Sequence, residues 1–388
     1  MSYNMYIPTR TLFGSGILNK LHAQQMPGQK AMIIISHGKS ARANGYLART
    51  EEQLRLAGTQ SVVFDKIEAN PLKSTVMAGA AFAQENSCDF LVALGGGSCI
   101  DAAKAIAIMA TNEGDYWDYI TAGSGQGKAV VYKPLPIVAI STTAGTGSET
   151  DWGTVITNAE TNEKTALRRD DLFPVLAIVD PELTLSVPPQ FTAYQGFDAL
   201  FHSVEAYISN NANLMSDMYA ITSIENVTRY LARAVRNGND IEAREKVAFG
   251  STIAGTVLCV GGLVSQHSLE HALSAYHQKL PHGAGLIMLS KAYFTHFIKQ
   301  HVCDDRFIRM AQAMGMEDAK EPMDFIVMLV KLQEDCGVAD LKMSDYGIKP
   351  EEIETLVKNA KYTMGSLFSR DRCELSFEDC TTIYMASY

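Results

Sequence analysis

Residues 90–109, FLVALGGGSCIDAAKAIAIM, decide how this chain folds. Phe90–Leu94 is a continuous apolar run, Gly95-Gly96-Gly97-Ser98 is a turn, and the alanine-rich stretch Ala102–Met109 has the composition of a helix. A strand with no polar face has to be covered on both sides. Glycines let a backbone approach a ligand closely, and the start of the following helix offers unpaired N–H groups and a positive dipole to an anion. Asp101, three residues after Ser98, reads as a variant of the capping box. The spacing is neither the G-x-G-x-x-G fingerprint nor the G-x-x-x-x-G-K-[ST] loop. By itself, such a turn also describes a tight strand-to-helix corner.

The same rhythm runs outward from this stretch. Met32–Ile35 leads into Ser36-His37-Gly38-Lys39-Ser40-Ala41, and Val62–Phe64 leads into Glu68-Ala69-Asn70-Pro71. Ile137–Ile140 leads into STTAGTGSE, and Val175–Val179 into Asp180-Pro181. Tyr6–Phe13 reads as a further short strand. Apolar strands alternating with helix-like segments predict an α/β fold with a Rossmann-like parallel sheet covered on both faces. At PELTLSVPP, residues 181–189, the rhythm stops, because two adjacent prolines continue neither a strand nor a helix interior. The chain therefore divides into a dinucleotide-binding α/β domain over residues 1–185 and an all-helical domain over 186–388. In the second part Phe197, Leu200, Phe201, Val204, Tyr207 and Ile208 form one apolar stripe, with Asp198, His202 and Glu205 along its edge. Helices are also expected over 322–335 and 350–364. The chain shows no internal repeat.

A second loop strengthens the reading of the glycine turn as a phosphate site. Thr142, Thr143, Thr146 and Ser148 bring four hydroxyls to the end of another apolar strand. They offer donors to a diphosphate without adding charge. Ligands of open parallel sheets bind at the carboxyl ends of strands, which is where both loops stand, so a dinucleotide is expected. An acid at the end of the first strand would grip the ribose 2′-hydroxyl of NAD. That position holds Gly38, Lys39 and Ser40, followed by Arg42, and NADP is favoured over NAD.

The other concentration of chemistry lies at LVSQHSLEHALSAYHQKLPHGAG, residues 263–285, which holds four of the nine histidines: His267, His271, His277 and His282. His267 and His271 share a helix face, and so do Asp198 and His202. Either pair alone is also a common solvated helix edge. The nearly charge-free stretch before the cluster, Ser251–Val264, instead predicts that these polar groups are buried and need partners. Imidazole and carboxylate at helical spacing on two segments suit a divalent metal.

The bulk composition narrows the alternatives. A chain of 388 residues with 47% hydrophobic and 20% charged residues is a globular balance. Its net charge of −10 argues against nucleic acid or an anionic membrane as a partner. Seven scattered cysteines without a CxxC pair fit a reducing, cytoplasmic setting. No run approaches membrane-spanning length.

Together, GGGSCIDAAKAIA, STTAGTGSET, AIVDPELT, GFDALFHSVEAYIS and HSLEHALSAYHQKLPHGAG resemble, in order along the chain, the iron-containing (group III) alcohol dehydrogenases. The resemblance implies an architecture like that of dehydroquinate synthase, with the active site in the cleft between the domains. It implies Asp198, His202, His267 and His282 as ligands of Fe2+, with Zn2+ as an alternative, and His271 as a group for catalysis or nicotinamide contact. The cofactor residues it implies are Gly96, Gly97, Ser98 and Asp101, then Thr142, Thr143, Thr146 and Ser148, with Asn70 on the adenosine side and Lys164 near the nicotinamide ribose. The expected reaction is hydride transfer between a primary alcohol, or its aldehyde, and NAD(P). The expected partners are small molecules and, as a homo-oligomer, further copies of the chain. The family's AHPLGA stands here as Glu270-His271-Ala272-Leu273-Ser274-Ala275, and the loop to Pro281-His282 is one residue longer than in several relatives. Three other readings compete. One is a dehydroquinate-synthase-like lyase. Another is a zinc peptidase, because residues 267–271 spell H-x-x-E-H. The third is a non-catalytic cofactor-binding regulator.

Overall fold

The apolar runs build the sheet that their burial requires. The computed structural model describes residues 3–388. It contains β1 (Arg10–Phe13), β2 (Lys30–Ser36), β3 (Gln60–Ile67), β4 (Phe90–Gly95), β5 (Ile137–Ser141), β6 (Gly153–Asn158), β7 (Glu163–Arg168) and β8 (Leu176–Val179). Six of these form one sheet in the order β1-β8-β5-β4-β2-β3, and every neighbouring pair is parallel. Alternation along the strands sends Met32, Ile34, Leu91 and Ala93 to one face and Ile33, Ile35, Val92 and Leu94 to the other. The first face packs against Val76 and Ala80 and against Ile106; the second packs against Leu47 and Leu54. β3 is added on one side of β2 and β4 on the other, so the strand order reverses there and the loops that follow β2 and β4 flank the switch point where open sheets bind ligands.

Four helices accompany the sheet: α1 (Ser40–Ala43), α2 (Tyr46–Leu56), α3 (Lys73–Glu85) and α4 (Gly97–Met109). Three expectations need correcting here. The first strand covers only Arg10–Phe13 of the expected 6–13 stretch, while Tyr6 sets its ring edge-on to Phe173 at 5.9 Å. The Val62–Phe64 run extends to an eight-residue strand, Gln60–Ile67. Asp101 caps nothing: α4 begins at Gly97 after Gly96 without a side-chain cap, and the Asp101 carboxylate accepts instead from Ser148 and from the Val155 N–H. The antiparallel hairpin β6–β7 has no counterpart in the sequence reading. Its turn carries Asn162 at a φ of 53°, in the left-handed region that asparagine tolerates.

The chain clusters into two compact units, Tyr6–Ser186 and Val187–Tyr388, with residues 3–5 grouped with the second. The second unit is helical throughout: α5 (Pro189–Ile208), α6 (Leu214–Arg236), α7 (Ile241–Gly261), α8 (Ser265–Tyr276), α9 (His282–Lys299), α10 (Asp304–Ala313), α11 (Asp324–Asp335), α12 (Ile353–Phe368) and α13 (Phe377–Ala386). Pro189 opens α5, where its missing N–H and fixed φ suit the first turn. Most of α5 is buried, including Asp198, His202 and Glu205, so the polar edge of its stripe is an interior surface. Helix α8 is buried from Ser265 to Ala275 although it is rich in polar residues. Each such group needs a partner. Ser265 pairs with the Tyr293 hydroxyl, Gln266 donates to the Leu286 carbonyl and Ser268 to the Ala360 carbonyl. No single helix among the described residues is long and apolar enough to cross a membrane.

Candidate metal centre and cofactor loops

Three helices bring the four expected ligands together. Asp198 and His202 stand one turn apart on α5, His267 lies in the first turn of α8, and His282 is the first residue of α9. Asp198 Oδ1 lies 3.4 Å from His202 Nε2, 3.6 Å from His267 Nε2 and 3.5 Å from His282 Nε2. The His202 and His267 rings stack at 4.7 Å, and those of His267 and His282 lie 5.3 Å apart. The start of α9 reaches this point because Gly283 has no side chain. A Cβ there would sit 2.2 Å from the Tyr194 carbonyl oxygen on α5. Asp198 Oδ1 and His267 Nε2 are buried and have no hydrogen-bond partner. Such atoms are costly to leave unmatched, and a divalent ion ligated by carboxylate and imidazole matches them. His271 lies beside the cluster, with its ring 5.3 Å from that of His282 and its Nδ1 3.3 Å from the Met364 sulfur.

Two carboxylates complete the centre; the sequence reading placed Glu205 only along the edge of the apolar stripe and Glu270 only as the base of the peptidase-like H-x-x-E-H. Glu205 Oε1 lies 2.5 Å from His267 Nδ1, and Glu270 Oε2 is hydrogen-bonded to His282 Nδ1. Each holds its imidazole by one nitrogen and leaves Nε2 facing Asp198, the arrangement that orients metal-ligating histidines. Both residues were visible as acids one turn from a histidine, Glu205 three after His202 and Glu270 three after His267. Their actual partners are not those neighbours. Burial opposes charge on Asp198, yet His202, His267 and His282 hold its carboxyl well below the usual carboxylate range. Burial pushes His202 down to about 3 against the pull of Asp198. Burial also opposes charge on His267, but Glu205 and Asp198 outweigh it and raise the group to about 9. The acids thus favour positive charge on His267, while burial disfavours it on His202.

The expected cofactor residues gather at strand ends of the α/β unit. Gly97 lets the two loops touch, since a Cβ there would lie 2.4 Å from Thr146 Cγ2. Gly96 precedes α4, Ser98 Oγ donates to the Ala69 carbonyl, and the Thr142 N–H donates to the Gly95 carbonyl at 3.0 Å. Thr142, Thr143 and Thr146 are half-buried. Lys164 Nζ donates to Asn70 Oδ1 at 3.0 Å, which joins two residues 94 positions apart. Gly38, Lys39 and Ser40 are exposed after β2. Asp101 and Ser148 are committed to each other at 2.5 Å, beneath the loop. Lys104, fully buried and absent from the sequence reading, gathers Asp151 Oδ1 at 2.6 Å and the Ser148 and Gly153 carbonyls at 2.8 Å.

The sequence pattern described as iron-containing alcohol dehydrogenase matches residues 8–181, and the C-terminal pattern of the same family matches 192–388. This chain belongs to the iron-containing alcohol dehydrogenase family. Its relatives include an NAD-dependent methanol dehydrogenase of Bacillus methanolicus, 34% identical over 92% of this chain and 93% of that one. A 1,3-propanediol dehydrogenase of Klebsiella pneumoniae is 33% identical over 96% of each chain. Among solved structures, an archaeal alcohol dehydrogenase from a Red Sea brine pool superposes with a TM-score of 0.95 at 32% identity, covering 100% of this chain and 99% of that one. An iron-containing alcohol dehydrogenase is an oxidoreductase, which removes the lyase, peptidase and regulator readings. The geometry independently disfavours the peptidase, because Glu270 is held by His282.

Proposed function

We propose that this alcohol dehydrogenase interconverts a primary alcohol and its aldehyde with NADP as the favoured hydride carrier, and that Asp198, His202, His267 and His282 hold its metal. Divalent iron is the ion expected, with zinc as an alternative. The observation that carries the ligand set is the approach of three Nε2 atoms to Asp198 Oδ1 within 3.4–3.6 Å. When bound, the ion supplies a Lewis acid that stabilises negative charge on the substrate oxygen.

The chain's own residues do the rest. Asp198 contributes the one negative charge of the ligand set, so with three neutral imidazoles a bound divalent ion would keep a net positive charge. Glu205 and Glu270 fix the rings of His267 and His282 through Nδ1 and leave each Nε2 as the atom that faces Asp198. His271, beside the cluster and held at Nδ1 by Met364, takes up the alcohol proton at Nε2 and returns it in the reverse direction. The glycine turn and the hydroxyl loop seat the diphosphate, and Asn70 and Lys164 orient the cofactor. Lys39 and Arg42, with no acid at the end of β2, favour a 2′-phosphate.

The test is a panel of aldehydes assayed with NADPH and NADH on protein reconstituted with defined metals, alongside His267→Ala. The variant loses metal and turnover together. Full activity without metal retention would refute the ligand assignment.

A further inference from the structure

The acid that the end of β2 lacks arrives from the neighbouring strand. Arg42 Nη2 donates to Asp65 Oδ2 at 2.8 Å, across 23 positions of sequence. The register between β2 and β3 explains how Asp65 comes to face that way. Ile34 pairs with Phe64, but Ser36 pairs with Ile67, so Asp65 and Lys66 together stand opposite the single residue Ile35. An irregularity of this kind bends the strand and re-aims a side chain. Here it carries the Asp65 carboxylate to the mouth of β2. Ser36, Gly38, Lys39, Arg42 and Asp65 line one depression there. The Arg42 and Asp65 side chains are 54% and 48% exposed, so a ligand can reach both.

We propose that Asp65 is a specificity-determining residue that sets the choice between NADP and NAD through its hold on Arg42. The inference rests on the reading above that the adenosine end of the cofactor lies against the end of β2. A 2′-phosphate seated there needs the Arg42 guanidinium, which Asp65 already occupies, and it also meets the Asp65 carboxylate as a like charge. A 2′-hydroxyl meets neither obstacle and can donate to Asp65. Asp65 therefore acts against NADP alone, and Lys39 and Arg42 act in its favour.

The experiment measures kcat/KM for NADPH and NADH in the parent, Asp65→Asn, Arg42→Ala and the double variant, with binding of 2′,5′-ADP and 5′-AMP as cofactor fragments. Asp65→Asn raises the NADPH/NADH ratio by up to about fivefold, the range of one exposed charge pair, through the KM for NADPH with kcat unchanged. It tightens 2′,5′-ADP but not 5′-AMP. Arg42→Ala lowers the same ratio, and in that background Asp65→Asn has a smaller effect. An unchanged ratio in Asp65→Asn, or an equal shift for both cofactors, overturns the inference. The parent's own ratio tests the NADP reading separately. A parent that prefers NADH, yet moves towards NADPH in Asp65→Asn, would refute that preference and support the role of Asp65.

Discussion

Glu205 on α5 lies 2.5 Å from His267 on α8, 62 positions away in sequence, and both side chains are buried. The contact fixes which imidazole nitrogen faces Asp198. Glu205→Gln keeps the shape and loses the charge. Outer carboxylates of this kind contribute about tenfold to a hundredfold in metal affinity. The variant is expected to lose metal by that factor in a chelator competition, while its circular dichroism matches the parent. Unchanged metal affinity would leave Glu205 a packing residue.

Ligand binding to the native state alone raises stability by mass action. Metal removal is therefore expected to lower the thermal midpoint of the parent and to leave His202→Ala and His267→Ala almost unmoved. Scanning calorimetry with and without chelator checks this. Equal shifts in all three proteins would place the ion elsewhere.

Gly97→Ala tests the contact between the two loops. A methyl group 2.4 Å from Thr146 Cγ2 forces the loops apart, at about 1–3 kcal/mol for an overpacked site. The expected result is a cofactor KM raised about tenfold or more with unchanged metal content. A rise in neither cofactor KM nor Kd would remove the loop pair from the cofactor site.

Lys104→Met leaves the buried Asp151 carboxylate without its cation. Breaking such a pair from one side costs about 3–5 kcal/mol. Denaturant midpoints should fall accordingly, with part of the loss recovered in Lys104→Met/Asp151→Asn. The cofactor KM should rise too, because Lys104 Nζ holds the second loop through the Ser148 carbonyl and hydroxyl at 2.8 and 2.9 Å.

Asp371 gives a pH signature. Its Oδ1 accepts from the Ser265 N–H and the Tyr293 hydroxyl, both at 3.1 Å, at the start of α8. Burial pushes its carboxyl up to about 7, with the Ser265 and Tyr293 hydrogen bonds opposing. A carboxyl raised on folding contributes stability that is fully present below its ordinary value near 4 and is lost as pH rises through 7. Asp371→Asn should remove that loss, so its thermal midpoint gains on the parent's between about pH 4 and pH 7 and keeps a constant lead above that. Parallel curves would refute it.

Much of the fold was legible from residue type alone. A run such as MIII or FLVAL has no face to show to water, so alternation of such runs with helices leaves little but a parallel sheet between two helical layers. The helical half declared itself through the stripe at Phe197–Ile208. The hairpin β6–β7 escaped because its strands, GTVITN and EKTALR, mix polar and apolar residues without a continuous apolar run, although most of their residues are buried. Asp101 was legible as an acid near a helix start, but its partner Ser148 lies 47 positions away and overrides the local cap.

The sequence by itself determined the parts of the centre: an acid and a histidine one turn apart, two histidines one turn apart, and a histidine beside glycines small enough to let its helix close in. Helical spacing is a local property, so it is written in order along the chain. Tertiary structure alone decided which side of α5 is interior, that His267 pairs with Glu205 while its near neighbour Glu270 goes to His282, and that Asp65 reaches Arg42. These outcomes depend on how helices cross and how strands register, and those are set by packing summed over residues far apart in the chain.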